Sequence, residues 1–211
     1  MTSTRDKLLS ATTDALRAGG IATLSARTIA DRAGVNQALV FYHFGTMSDL
    51  VQAATIASVD ASLGHYRARF AEVGSLSELL TLGRVLHEHE RELGNVAVMA
   101  QLMAGAQHEP LLAEAGRYAM ARWSEEIEGV VRRVLAGSPL LEVVDATGLA
   151  QAISAGFIGL ELYDGVDPVG GRAALDALEG LGTLVEVMDD LGAVATRALR
   201  SRLRKSRGQQ R

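Results

Sequence analysis

Apolar residues recur at three- and four-residue intervals along nearly the whole chain, and strand-like alternation is scarce. That spacing sets them on one face of a helix. Leu8, Ala11, Thr12, Ala15 and Leu16 share such a face, Ile21 and Leu24 follow in a loop, and Ile29, Ala30 and Ala33 share another. The pattern predicts helices near 4–18, 25–32, 36–43, 47–72, 76–93, 95–107, 110–136, 145–164 and 171–205. The breaks fall at Gly19-Gly20, Gly34, Gly45, Gly74, residues 137–139 and residues 164–168. Start signals agree with this division. Ser3 with Asp6, Thr46 with Asp49 and Ser75 with Glu78 have capping-box spacing, Pro110 suits a first helical turn, and Asp145 suits a cap. Three short helices followed by long ones imply an all-α chain, with a small head over residues 1–46 and a helical bundle over residues 47–211.

Composition narrows the class. At 211 residues, with 48% apolar and 22% charged positions, the chain has the make-up of a globular protein. It has no apolar run long enough to span a bilayer, and charges are threaded through its N-terminus where a signal peptide would be apolar. There is no cysteine, which excludes disulfides and thiolate metal sites. A cytosolic location is the expectation. The net charge of −4 is unevenly spread, with five basic residues against three acids in residues 1–46 and seven basic residues without an acid from Arg197 to Arg211. A mildly basic head on an acidic body suits one end directed at a polyanion. The tail, RALRSRLRKSRGQQR, reads as a frayed helix end with a solvated extension, or alternatively as a contact to DNA or another acidic partner.

The head has the makings of a helix-turn-helix. Ser25 is placed to cap the second helix, with Arg27 and Thr28 in its first turn, and Gly34 supplies the positive φ of a tight turn that Val35 plugs. The third helix opens with Asn36 and Gln37 and runs into the block Phe41-Tyr42-His43-Phe44. In a helix-turn-helix the second helix of the motif presents its N-terminal residues to base edges in the major groove. A glutamine amide can pair with adenine and an arginine with guanine, so Gln37 and Arg27 are the leading base readers. Asn36 has capping as its first role. Val35, Val40 and Phe44 are expected to anchor the third helix, leaving Tyr42 and His43 toward the DNA backbone.

The stretch S25-A-R-T-I-A-D-R-A-G-V-N-Q-A-L-V-F-Y-H-F-G-T-M-S-D-L50 resembles the DNA-binding head of TetR-family transcriptional regulators. The resemblance covers roughly the first quarter of the chain, with turn, aromatic block and start of the fourth helix in register. It implies that Ser25, Arg27, Thr28, Asn36, Gln37, Leu39, Phe41, Tyr42 and His43 form the face directed at double-stranded operator DNA. Three positions depart from the family. Leu39 stands where threonine or serine is usual, Phe41 where tyrosine is, and Met47 where lysine is; all three usual residues are phosphate contacts. Either Arg5, Lys7, Arg17, Tyr42 and His43 take over, or the clamp on the phosphates is weaker.

For the body, the resemblance implies a homodimer built from the last two long helices and a ligand cavity lined by helices four to eight. Gly148, Ala152, Gly156 and Gly159 form a stripe of small residues on one helix, and Leu178, Gly182, Val185 and Gly192 lie in a comparable band on the last. Two heads would then meet a pseudo-palindromic operator. Candidate cavity residues are Met99, Met103, Gln107, Tyr118, Met120, Trp123, Phe157 and Tyr163, which would suit a small apolar or amphipathic ligand. Methionines and aromatics at helical spacing also read as core. His87 and His89 are two residues apart and face apart on a helix, so they read as solvated rather than as metal ligands, and neither a metal nor another cofactor is expected. The expected function is a ligand-responsive repressor. Its rivals are a regulator whose body binds a protein partner without a small-molecule inducer, and a helical enzyme.

Overall fold

The computed structural model describes residues 2–142, 144–189, 191, 197–198 and 201–202. Among these there are nine α-helices and no strand: α1 Thr4–Gly19, α2 Ala26–Ala33, α3 Ala38–Phe44, α4 Met47–Glu72, α5 Leu76–Glu92, α6 Asn95–Gly105, α7 Pro110–Val134, α8 Ala146–Asp164 and α9 Pro168–Asp189. Single 3-10 turns at Ile21–Thr23 and Pro139–Glu142 complete the order. The chain divides into two compact units, Met1–His65 with Glu88–Arg122, and Tyr66–His87 with Trp123–Arg211.

The first unit is built on two apolar cores. Leu8, Ala11, Ala26, Ile29, Ala30, Val40 and Leu50 are buried together, with Leu24, Val35, Phe44 and Met47 packed against them. The face predicted for α1 is the one it buries: Leu8, Ala11, Thr12, Ala15 and Leu16. Thr12 is tolerated there because its hydroxyl donates to the Leu8 carbonyl at 2.7 Å. The second core joins Val51, Leu102, Leu112 and Ala115 to Ile21, Leu24, Met99 and Met103. Polar contacts reinforce the link from α1 and the 3-10 turn after it to α6. The Ile21 N–H donates to Gln101 Oε1 at 2.7 Å, and Arg17 Nε donates to Asn95 Oδ1 at 2.7 Å.

The second unit surrounds a larger core of Tyr66, Phe70, Val73, Leu79, Leu86, Ile127, Val130, Val131 and Leu135. Trp123 lies against it, its ring 6.3 Å from both Tyr66 and Phe70. Arg133 closes the end of α4 by donating to the carbonyls of Phe70 at 2.7 Å and Val73 at 3.0 Å. Gly182 on α9 is buried against α5, where a Cβ would stand 3.0 Å from Leu80 and 3.2 Å from the Ser77 backbone.

Three expectations change. The last helix starts at Pro168 rather than near 171, because the Asp167 carboxylate accepts the N–H groups of Val169 and Gly170 at 3.2 and 3.0 Å. The third helix starts at Ala38 rather than at 36. His87, read as solvated, is buried: with Leu79, Gly83 and Leu86 it lies on the inward face of α5, and Glu161 and Asp164 of α8 face its ring. His89 is exposed and stacks on His65, ring centroids 5.9 Å apart. The predicted end of the last helix, Gly192 and most of the basic tail lie outside the described residues.

Candidate nucleic-acid interface

The surface begins at the start of α2. Ser25 caps the helix by accepting the Thr28 N–H at 3.1 Å, and the two hydroxyls are hydrogen-bonded to each other. Arg27, in the same first turn, has a side chain 84% exposed, and its nearest carboxylate, Asp31, is 3.9 Å away. An ion pair that loose and that open to water holds the guanidinium weakly, so it remains available to a ligand.

The turn into α3 is set by Gly34 at φ +65°, in the left-handed region. The Val35 N–H reaches the Ala30 carbonyl at 3.0 Å and the Gly34 N–H the Asp31 carbonyl at 3.3 Å, the two bonds of a Schellman end. A Cβ at Gly34 would meet nothing within 4 Å, so backbone conformation and not space selects glycine here. The chain then turns at once into α3. Asn36 Oδ1 accepts the Ala38 N–H at 2.8 Å, which commits that oxygen to the start of the helix.

α3 is divided by face. Val40 is fully buried, and Val35 and Phe44 pack on the same core. Gln37 is exposed, Phe41 is 47% exposed and Tyr42 is 80% exposed. Leu39 and His43 are half-buried. His43 stands edge-on between Tyr42 and Phe44, at centroid distances of 5.1 and 6.3 Å. The Arg5 guanidinium lies over Phe44 at 5.2 Å, so one cation extends this aromatic row from α1. Met47, where the resemblance leads one to expect lysine, packs on the head core. Thr46 caps α4, accepting the Asp49 N–H at 3.1 Å. Of the cations named as substitute phosphate contacts, Arg17 is engaged by Asn95 at 2.7 Å and by Asp14 at 3.9 Å.

The residues suggested for a ligand cavity fall in different settings. Met99 and Met103 pack in the second core of the first unit. Tyr118, in that unit, donates to the Asp60 carboxylate, both of whose oxygens lie at 2.9 Å. That carboxylate raises the phenol's pKa above its ordinary value, chiefly through this hydrogen bond. Gln107 is exposed in the turn after α6, and Met120 is half-buried. Trp123 and Phe157 come together on the core of the second unit, while Tyr163 is about half exposed and lies 3.4 Å from Asp167.

The small-residue stripe of α8 also divides. Gly148 sits in the first turn, donating to Asp145 at 2.8 Å, whereas Ala152, Gly156 and Gly159 are exposed on the outer face. On α9 Leu178 is exposed, but Gly182 is buried and Val185 packs on the core. The outward apolar row therefore uses Leu181, Leu184 and Val187, with Leu162 on α8 and Val166 in the turn after it also exposed. Three- and four-residue spacing of leucine and valine marks this row in the sequence more directly than the glycines do.

Comparison with known proteins agrees with this geometry. The family model for bacterial regulatory proteins of the tetR family matches residues 8–54. A TetR-family transcriptional regulator from Rhodococcus sp. is similar in structure, with TM-score 0.71 and 25% identity over 88% of this chain and 99% of that one. A transcriptional regulator from Streptomyces coelicolor A3(2) has TM-score 0.65 and 24% identity, over 85% and 98% of the two chains. One from Saccharomonospora viridis, solved in complex with choline, has TM-score 0.63 and 19% identity, over 85% and 93%. No curated protein matches the chain significantly. The family model thus falls on the helix-turn-helix, and along nearly its whole length the fold is similar to that of a TetR-family transcriptional regulator.

Proposed function

We propose that the protein is a dimeric repressor that binds a pseudo-palindromic operator through Arg27 and Gln37 and is released by a small molecule. The observation that carries the DNA-reading part is the division of α2 and α3 by face. Ile29, Ala30 and Val40 are buried while Arg27, Gln37, Phe41 and Tyr42 stand outward from one tight turn. Polar, exposed side chains on a helix held rigidly by its opposite face can probe base edges without losing order on binding. Ser25, Thr28, Leu39 and His43 flank them, and Asn36 sets the register. Arg5, over Phe44, supplies the cation that Met47 does not.

The exposed row Ala152, Gly156, Gly159 and Leu162 on α8, with Val166 in the turn after it and Leu178, Leu181, Leu184 and Val187 on α9, supports pairing with a second copy. Apolar side chains exposed in rows of this length are removed from water when two such faces meet. A regulator of the same fold bound to choline supports a small-molecule effector, though of which chemistry is this chain's own affair. Its candidate contacts remain Met99, Met103, Gln107, Tyr118, Trp123, Phe157 and Tyr163. Among the described residues no helix is long and apolar enough to cross a membrane. Selection of an operator from random DNA, followed by a panel of small metabolites, tests the reading. The expected result is one enriched inverted repeat and one compound that both releases it and raises the melting temperature. Failure to enrich any sequence would contradict it.

A further inference from the structure

The outward face of α3 is apolar at its centre. Gln37, Ala38, Phe41 and Tyr42 are exposed, while Val40 on the opposite side is fully buried. Gln37 has helical dihedrals, φ −53° and ψ −35°, so it continues the spiral of α3 backward by one residue. At about 100° per residue, Ala38 and Phe41 then occupy the middle of the exposed face, with Gln37 and Tyr42 at its two edges. Both central residues are held through the backbone. The Ala38 N–H donates to Asn36 Oδ1 at 2.8 Å, and the Phe41 carbonyl accepts the Gly45 N–H at 2.9 Å. Neither side chain has a donor or acceptor, so neither can bond a base's polar edge or a phosphate.

We propose that Ala38 and Phe41 form an apolar reader for the C5-methyl groups of pyrimidines in the major groove, thymine or 5-methylcytosine; this rests on the reading of α3 proposed above. That methyl is the apolar element in the major-groove pattern of the bases, and alanine and phenylalanine side chains suit it. A lone exposed apolar side chain calls for no explanation, but these two share the centre of the face turned to the groove. Phe41 is 47% exposed, and contact with a methyl takes part of its ring out of water without leaving any polar group unmet. Residues three apart on a helix stand about 5–6 Å apart at Cβ, and bases rise about 3.4 Å per step along a strand. The pair therefore meets methyls on neighbouring steps, beside the adenine that Gln37 is positioned to bond.

Equilibrium binding of the full chain to its selected operator tests this, with each thymine of the half-site replaced in turn by deoxyuridine, which lacks only the methyl. At two neighbouring positions affinity is expected to fall about fourfold, the effect of one methyl left in water. Cytosine placed there is expected to bind about fourfold more tightly when C5-methylated, which separates the methyl from thymine's O4 acceptor. Thymine enriched at these positions from unmethylated DNA makes thymine the source; cytosine bound tightly only when methylated makes it 5-methylcytosine. The penalty disappears at one position in Phe41→Ala and at its neighbour in Ala38→Gly. Deoxyuridine bound as tightly as thymine throughout, or penalties undiminished in both variants, overturns the proposal, and an operator still sensitive to Gln37→Ala then leaves the reading of α3 standing. If no sequence is enriched, both fall. If Phe41→Ala does not fold, Phe41→Gln decides in its place: an undiminished penalty overturns the proposal.

Discussion

Asn36 spends its side-chain oxygen on the backbone N–H of Ala38 at 2.8 Å, so the two adjacent amides at the turn into α3 have different work. Asn36 fixes where the helix starts, and Gln37 stands exposed beside it. Substituting each should separate stability from recognition. Asn36→Ala should lower unfolding free energy by about 1 kcal/mol, as loss of a cap does. Gln37→Ala should leave it unchanged within about 0.5 kcal/mol. Urea denaturation of both variants checks this; equal losses would mean Gln37 too is structural.

Gly34 offers a second separation. Its φ of +65° is unfavourable for other residues, yet the space around it is open. Gly34→Ala should destabilise the head by about 1 kcal/mol, and Gly34→Asn by less, since asparagine tolerates the left-handed region. Chemical denaturation orders the three proteins. The reverse order would show that a side-chain clash, and not backbone conformation, selects glycine.

Much of the fold was legible because burial has the helical period. The inward face of α1 and the caps at Ser3, Ser25 and Asp145 follow from spacing and residue type alone. The Asp167-Pro168 helix start was harder to see. Its acid and proline sit among Gly165, Gly170 and Gly171, which read as breaks, and only the folded chain shows the carboxylate on the Val169 and Gly170 amides. His87 hid for another reason. Its position matches the buried row of α5, but the compensating acids are more than seventy residues away in sequence. In the candidate interface the outward set on α2 and α3 could be read from the turn and the anchors Val40 and Phe44. The engagement of Arg17 by Asn95 could not, because a contact between distant helices leaves no local pattern.

Acid should act on the first helix at Asp6. Hydrogen bonds from Ser3, first from its hydroxyl and then from its backbone, hold this carboxyl below the ordinary aspartate range. A folded-state pKa lowered in this way contributes stability above the unfolded value, lost as pH falls through the folded one. Carboxyl NMR titration should show Asp6 titrating below a typical aspartate, and Ser3→Ala should return it toward normal. An unshifted Asp6 in the wild type would remove the capping box from the account of α1.

The proposed dimer face predicts a contrast between two positions on α9, two residues apart. Leu184→Glu, on the exposed row, should give a folded monomer by sedimentation. Gly182→Val, two residues before it but against Leu80 and Ser77, should destabilise the protomer by about 1–3 kcal/mol through overpacking. A Leu184→Glu protein that remains dimeric would place self-association elsewhere.

The phosphate clamp can be read from salt. Arg5→Ala should reduce the slope of log K against log salt by about 1, the loss of one phosphate contact. Met47→Lys should increase it by about 1, because a lysine stem can cover the core while its ammonium reaches out. Unchanged slopes would show that neither position approaches the DNA backbone.

The central claim, that α2 and α3 read bases, is tested most directly by equilibrium binding to a selected operator and to a scrambled duplex at one salt concentration. The ratio of the two affinities should fall by about tenfold or more for Gln37→Ala and for Arg27→Ala, with melting temperatures unchanged, as loss of a bidentate base contact requires. Ratios equal to that of the wild type in both variants would contradict it.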